Sequence, residues 1–215
     1  MTMDTERLIE SLSAHVPRVS RHALAKRLAF GILAGAVVAM IAVVVVLGVR
    51  PDLHLAMHGF SFWMKWTYTV SLGAGAIYAV GRLARPTSGS LRGLWLLGIP
   101  VLVLIGIGIG ELAATPSRQW LSMWLGESWM VCPWLVLSLA IPIFLGLLWS
   151  FRKLAPIRLR AAGAAAGLAA GAWAATIYCL HCPESSAVFV LTWYSLGIAL
   201  AAAAGAWLGP RILRW

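Results

Sequence analysis

Cys179-Leu-His-Cys-Pro-Glu-Ser-Ser186 is a short polar stretch that separates two long apolar runs. It contains two of the chain's three cysteines, together with a histidine and a carboxylate. The third cysteine, Cys132, stands in a similar setting, because Pro133 and another apolar run follow it. Nearly all of the remaining sequence consists of apolar runs and basic connections. We therefore expect any chemistry of this chain to be thiol chemistry at these two places.

The composition is typical of a membrane protein. Of the 215 residues, 61% are hydrophobic and only 11% are charged, whereas a soluble domain carries roughly a quarter charged residues. Such a chain cannot cover a folded core with polar surface, so we predict an integral membrane protein in contact with a lipid bilayer. The net charge of +10 does not indicate direct binding of nucleic acid, because the basic residues are scattered between apolar runs.

Six apolar runs are long enough to cross a bilayer, which takes about 20 residues. The predicted fold class is therefore all-α, with a transmembrane domain over residues 28–208. Its spans lie near residues 28–49, 62–82, 93–112, 130–151, 160–180 and 187–208. A cytoplasmic segment, residues 1–27, precedes them, and a basic cytoplasmic tail, residues 209–215, follows them.

The basic residues are unevenly distributed between the two ends of these spans. Fourteen of the 17 Lys and Arg residues fall in the N-terminal segment, the second and fourth connections and the tail. The exceptions are Arg50, Arg118 and Lys65, whose side chain can extend from the second span to the interface. The positive-inside rule therefore places both termini in the cytoplasm. All three cysteines then lie at the outer face, which in a bacterial inner membrane faces the oxidising periplasm.

The N-terminal segment has the pattern of an amphipathic helix. Leu8, Leu12 and Val16 repeat every four residues beside Ile9, and Asp4 can cap the helix. Two interpretations stay open at this point. The helix either rests on lipid, or it binds a soluble partner through Asp4, Leu8, Ile9 and Leu12.

The last two predicted spans carry small residues at every fourth position. These are Gly163, Gly167 and Gly171 in the fifth span, and Gly197, Ala201, Gly205 and Gly209 in the sixth. Small residues let two helix backbones approach closely. We expect these spans to pack tightly, with each other as the candidate partners.

The cysteines allow three kinds of chemistry. Cys179 and Cys182 form a C-x-x-C, the spacing of thiol oxidoreductases. Cys132, Cys182 and His181 would supply soft ligands to a metal. A structural role is the third alternative, with Cys179 buried at a helix end and Cys182 paired with Cys132. Transport is disfavoured, because the spans hold no Asp, Glu or His at mid-depth.

Four motifs carry a resemblance to a known family. They are Gly126-Glu-Ser-Trp-Met-Val-Cys-Pro-Trp134, Leu180-His-Cys-Pro-Glu-Ser-Ser186, Trp193-Tyr194 and Gly209-Pro-Arg-Ile-Leu-Arg-Trp215. Matching stretches at residues 4–9, 50–53 and 82–86 extend the likeness over essentially the whole chain. The sequence resembles the NrsF family of proteobacterial six-span anti-sigma factors.

The resemblance implies a function. It implies a non-enzymatic protein that holds an extracytoplasmic-function (ECF) sigma factor at the bacterial inner membrane. It also implies that Cys132 and Cys182 sense an oxidant or a heavy metal. Cys179 is not part of the family pattern, and the residues alone make Cys179 and His181 possible auxiliary residues. No cofactor is expected beyond transient heavy-metal binding at the cysteines. The main alternative is a membrane thiol–disulfide oxidoreductase that uses Cys179 and Cys182.

Overall fold

The structure is a computed structural model that describes residues 23–83, 92–151 and 158–213, together with Thr5, Arg7, Ile9 and Glu10. Throughout the described residues the chain forms helices and connections and no strand, which confirms the all-α prediction. Ile9 is helical and 61% exposed. The other residues predicted to contact a partner, Asp4, Leu8 and Leu12, lie outside the described residues.

Six long helices account for most of the described chain, and we number them in order. They are α1 (Ala23–Ala42, continued by the π-helix Val43–Leu47), α2 (Phe60–Leu83), α3 (Gly98–Ala114, preceded by the 3-10 helix Arg92–Leu97), α4 (Cys132–Phe151), α5 (Leu159–Tyr178) and α6 (Ala187–Phe189, the π-helix Val190–Tyr194 and Ser195–Ile212). Shorter helices, Leu53–Ala56 and Trp120–Leu125, lie in the connections after α1 and α3. The helix α6 reaches Ile212, so the first residues of the predicted tail are helical.

Five helical segments are long and apolar enough to cross a membrane: Ala25–Leu47, Trp95–Ala114, Cys132–Phe151, Leu159–Tyr178 and Ala187–Ile212. The 24-residue helix α2 is long enough but is not among them. Its sequence includes Lys65 and several Ser, Thr and Tyr residues, which lower its hydropathy. The prediction of six spans is thus supported for five of them.

The helix α5 lies at the centre of the bundle. It packs against α6, α2 and α4, and most of its residues are buried. Its sequence is dominated by alanine and glycine, so neighbouring helices can approach it on several sides. The helix α2 is attached to it by a hydrogen bond in which the Thr176 hydroxyl donates to the Thr69 hydroxyl at 3.0 Å.

Between α5 and α6 the two backbones are in direct contact. A Cβ atom added to Gly163 would fall on the carbonyl oxygen of Gly205, and one added to Gly205 would fall on the carbonyl oxygen of Gly163. Gly167 meets the carbonyl of Ala201 in the same way, and a Cβ on Gly209 would lie 2.5 Å from the carbonyl oxygen of Leu159. The small residues that repeat at every fourth position of these two helices, the small-residue ladders, therefore do pack on each other, as predicted.

A second backbone contact joins α1 to α4 at Gly31 and Gly146. A Cβ added to either glycine would fall on the carbonyl oxygen of the other. This contact was not predicted, although Gly31, Gly35 and Ala39 also repeat every four residues. A Cβ added to Gly35 would likewise fall on the backbone of α4, at Ile143. Among the described helices, α4 thus connects α1 to the α5–α6 pair.

We predict that Gly163→Leu destabilises the bundle while Gly106→Leu does not. A side chain at Gly163 meets backbone atoms of α6, whereas a Cβ at Gly106 of α3 meets nothing within 4 Å. Overpacking of this kind costs about 1–3 kcal/mol or more. Thermal unfolding of the two variants in mild detergent measures the difference. Equal unfolding temperatures would contradict the backbone contact.

Candidate functional site

The connection between α5 and α6 is an ordered, hydrogen-bonded structure. It prolongs α5, because the backbone N–H of Cys182 donates to the carbonyl of Tyr178 at 3.1 Å. It ends at Ser186, whose hydroxyl caps α6 by accepting from the N–H groups of Val188 and Phe189 at 3.2 and 3.4 Å. The stretch from Cys179 to Ser186 therefore has a fixed conformation between the two helices.

The three cysteines come together at this end of the bundle. Cys132 comes from the start of α4, and Cys179 and Cys182 come from the α5–α6 connection. All three are free thiols within electrostatic range of one another, and we call them the thiol cluster. Each is 0% exposed. Burial of Cys179 at a helix end was one of the predicted alternatives and is confirmed, whereas burial of Cys132 and Cys182 was not predicted.

Cys179 is held by its own helix. Its Sγ donates to the carbonyl of Ala175, one turn earlier in α5, at 3.2 Å. A thiol in this position is fully buried and already hydrogen-bonded, which is the setting of a structural cysteine. The C-x-x-C spacing of Cys179 and Cys182 therefore does not form an exposed dithiol.

Two tyrosines line the thiol cluster. The rings of Tyr178 and Tyr194 lie 5.6 Å apart, and the Tyr178 side chain lies beside Cys132. Tyr194 is 0% exposed, and its hydroxyl lies close to Cys182 without a hydrogen-bond partner among the described residues. A buried hydroxyl without a partner costs about 1–3 kcal/mol. The groups that lie nearest to this hydroxyl are the thiols of Cys179 and Cys182, which are weak hydrogen-bond partners.

Two cations hold the connection in place. The ammonium group of Lys65, a residue only 1% exposed, donates to the carbonyls of Cys182 and Glu184. Arg50 donates to the same Cys182 carbonyl through Nη1 at 3.2 Å. We call Arg50 and Lys65 the cation clamp. The Lys65 side chain thus reaches the α5–α6 connection, where its charge is bonded to two backbone carbonyls.

Arg50 is itself fixed by the connection after α1. Its Nε and Nη2 donate to the two carboxylate oxygens of Asp52 at 2.7 and 2.6 Å. This pairing lowers the pKa of Asp52, so the carboxylate stays charged beside the guanidinium. The backbone N–H of Arg50 also donates to the carbonyl of Leu180 at 3.1 Å. The cation clamp therefore joins the α1–α2 connection to the α5–α6 connection.

Two carboxylates fasten the surrounding connections. One oxygen of Glu184 accepts hydrogen bonds from the backbone N–H groups of Glu127 and Ser128 at 2.7 and 3.1 Å, just before Cys132. One oxygen of Glu111, on α3, accepts from the backbone N–H of Ala187 at 2.7 Å, at the start of α6. Movement of the α5–α6 connection would therefore disturb hydrogen bonds to α3 and to the turn that precedes α4.

His181 is hydrogen-bonded to the backbone at the end of α1. Its Nδ1 lies 2.8 Å from the carbonyl oxygen of Gly48, at the end of α1. Within the described parts of the chain, no group of three or more His, Cys, Asp and Glu side chains is arranged to hold a metal ion. The structure thus brings Cys132 and Cys182 together and leaves His181 as a tether to α1.

The chemistry open to this site follows from its burial. The thiol cluster is enclosed by Tyr178, Tyr194 and the cation clamp, so a reagent reaches Cys132 or Cys182 only when this end of the bundle opens. Modification of the sulfurs would in turn disfavour the closed packing. The sequence analysis did not identify Lys65, Glu111, Glu184 or Tyr194 as parts of the site. The one available signal was that every acidic residue after the N-terminal segment lies on the cysteine side.

Comparison with known proteins identifies the family. The chain matches the NrsF family, described as negative regulator of sigma F, over residues 12–215. It is 41% identical over 213 residues to a probable anti-sigma-F factor NrsF of Azospira oryzae, covering 99% of this chain and 100% of that protein. It is 39% identical over 215 residues to the anti-sigma-F factor NrsF of Caulobacter vibrioides, with the same coverage. No solved structure matches the chain. The resemblance seen in the motifs is therefore confirmed, and the chain belongs to the NrsF family.

Proposed function

We propose that this protein is a membrane-bound anti-sigma factor that sequesters an ECF sigma factor and releases it when the thiol cluster reacts. Its relatives are named anti-sigma-F factors and match it from end to end, which supports a regulatory, non-enzymatic role. The observation that carries the sensing part is the burial of Cys132 and Cys182 together beneath the cation clamp. Such thiols are protected at rest and coupled to the packing of several helices.

The proposed setting is the bacterial inner membrane, with six spans and both termini in the cytoplasm. The distribution of basic residues supports this orientation. The helix α2 is proposed as the sixth span, because its second charged residue, Arg82, lies in the last turn and Lys65 is hydrogen-bonded. A lysine within a membrane is tolerated where it bonds to backbone carbonyls, and Lys65 bonds to those of Cys182 and Glu184. The thiol cluster then lies at the periplasmic end of the bundle.

The triggering step is proposed to join or bridge Cys132 and Cys182. With a hydroperoxide as oxidant, the two thiols lose two electrons and two protons, an S–S bond forms, the O–O bond breaks, and water and an alcohol leave. A soft divalent metal ion would instead replace the two thiol protons and bridge the sulfurs. An S–S bond brings the sulfurs to about 2.05 Å, far closer than two protonated thiols can approach, whereas a bridging metal ion has to fit between them. We expect either product to displace α4 relative to the α5–α6 connection.

The backbone contact between α5 and α6 offers a route to the cytoplasmic side. Helices in direct backbone contact move together, so a shift beside Cys182 is carried along both helices. The proposed grip on the sigma factor is the N-terminal stripe of Asp4, Leu8, Ile9 and Leu12. Moving a two-state equilibrium from 1:99 to 99:1 takes about 5.5 kcal/mol. A disulfide typically contributes about 2–4 kcal/mol, so contacts beyond the S–S bond must also change.

The oxidoreductase alternative is disfavoured by the position of Cys179. A C-x-x-C enzyme needs an accessible nucleophilic thiolate. All three cysteines are buried, and Cys179 differs from the other two in that its Sγ donates a hydrogen bond to the carbonyl of Ala175 within its own helix. The sensor proposal uses Cys132 and Cys182 and leaves Cys179 with a packing role.

Substitution of the cysteines tests the proposed pair. We expect Cys132→Ser and Cys182→Ser to change the response of a sigma-dependent reporter to dichromate, cadmium or peroxide to nearly the same degree. The double variant should be no worse than either single variant, because the two thiols act as one unit. Cys179→Ser is the matched control and should leave the response unchanged. A response that needs Cys179 but not Cys132 would instead favour the C-x-x-C as the working unit.

Substitution in the N-terminal stripe tests whether this surface binds the sigma factor. We expect Leu8→Asp with Leu12→Asp to raise sigma-dependent transcription in unstressed cells, because two charges would enter an apolar docking face. Ser11→Asp with Ser13→Asp adds the same charge while keeping the stripe intact, and should leave transcription low. Immunoblots of membrane fractions check that both variants stay in the membrane. Unchanged transcription in the leucine variant would show that the stripe rests on lipid.

A further inference from the structure

At the end of α5 and α6 opposite the thiol cluster lies a second site. A cavity of about 580 Å³ opens where the first turn of α5 meets the last turns of α6. The described residues that line it are two arginines and four apolar residues: Arg160, Ala203, Ala206, Trp207, Pro210 and Arg211. Of the described residues that line this cavity, none is acidic. The cavity therefore presents two positive charges beside an apolar wall.

The backbone contact between the two helices brings these arginines together. Gly209 lies against the carbonyl oxygen of Leu159, so Arg160, the next residue of α5, lies beside the last turn of α6. Arg160 and Arg211 line the same cavity. The guanidinium of Arg211 lies over the Trp207 ring, with Cζ 4.2 Å from the ring centroid. Its Nη1 also donates to the carbonyl of Trp207 at 2.9 Å. Arg211 is thus pre-positioned, and a guanidinium retains further N–H donors for an anion.

We propose that this cavity binds one anionic glycerophospholipid, with its phosphate between Arg160 and Arg211. One acyl chain would lie along Trp207, Ala206 and Ala203. The proposal rests on the inward orientation of these helix ends proposed above, and it goes beyond sigma-factor binding. Basic pockets between transmembrane helices on the cytoplasmic side are suited to anionic headgroups.

The depth of the apolar wall favours a lipid over a soluble partner. Ala203 and Arg211 are eight positions apart on α6, which is about 12 Å along a helix. Half of the hydrocarbon core measures roughly 15 Å, so the wall reaches a depth that an acyl chain fills. An acidic protein surface would meet the two arginines and leave this wall uncovered. The arginines fit the phosphate of a lipid headgroup, and the apolar residues fit the acyl chain attached to it.

Native mass spectrometry of the full-length protein in mild detergent tests the proposal. The probes are phosphatidylglycerol and phosphatidylcholine with identical acyl chains. We expect the wild type to prefer the anionic lipid by about tenfold or more, and Arg160→Gln with Arg211→Gln to reduce this preference to about twofold or less. Arg118→Gln removes an exposed arginine outside the cavity and should keep the full preference. Arg160→Lys with Arg211→Lys keeps both charges and should retain most of it.

Three results would overturn the lipid site. The first is an unchanged preference in the glutamine variants. The second is full displacement of the lipid by millimolar inorganic phosphate, which would indicate an anion site without an acyl part. The third is loss of a co-purified sigma factor from the double variant while the lipid preference stays unchanged, which would make the arginines a protein contact. If the double variant does not fold, the two single glutamine variants decide: reduced preference supports the site, and unchanged preference in both overturns it.

Discussion

Direct backbone contact between α5 and α6 is the constraint on which the rest of this structure depends. In lipid, helices gain no hydrophobic free energy by associating, so close packing of small residues has to hold them together. Gly163 and Gly205 allow that approach. One end of the pair carries the connection with Cys182, and the other end brings Arg160 and Arg211 to one cavity. Both proposed sites are therefore consequences of the same helix contact.

The thiol end of the bundle is organised by backbone carbonyls and fixed charges. The Cys182 carbonyl accepts from both Arg50 and Lys65, and Glu184 holds the turn that leads to Cys132. Because these contacts come from separate connections, any change in the spacing of the sulfurs strains several of them together. This is the behaviour expected of a switch, in which a local modification is coupled to helix positions.

Local sequence patterns were enough to predict the helices, but they did not predict contacts between residues that are far apart in the sequence. The length of each apolar run predicted the helices, and the four-residue ladder predicted the contact at Gly163. Hydropathy alone does not establish α2 as a span, because it counts the charge of Lys65 against the helix. The carbonyl that binds this charge, that of Cys182, lies more than a hundred positions away in the sequence and cannot be read from a local pattern. The burial of Cys132 and Cys182 was missed for the same reason: proline and polar neighbours in sequence suggest exposure, while the residues that cover the thiols come from other helices.

The central claim is that the chain holds a sigma factor at the membrane, and co-purification tests it most directly. The tagged full-length protein would be extracted from unstressed cells in mild detergent, and the proteins that elute with it identified by mass spectrometry. An unrelated tagged multi-span protein, extracted in the same way, is the control. The account predicts an ECF sigma factor in near-stoichiometric amount with this chain and not with the control. A folded, monodisperse preparation with no sigma factor above the control level would contradict it.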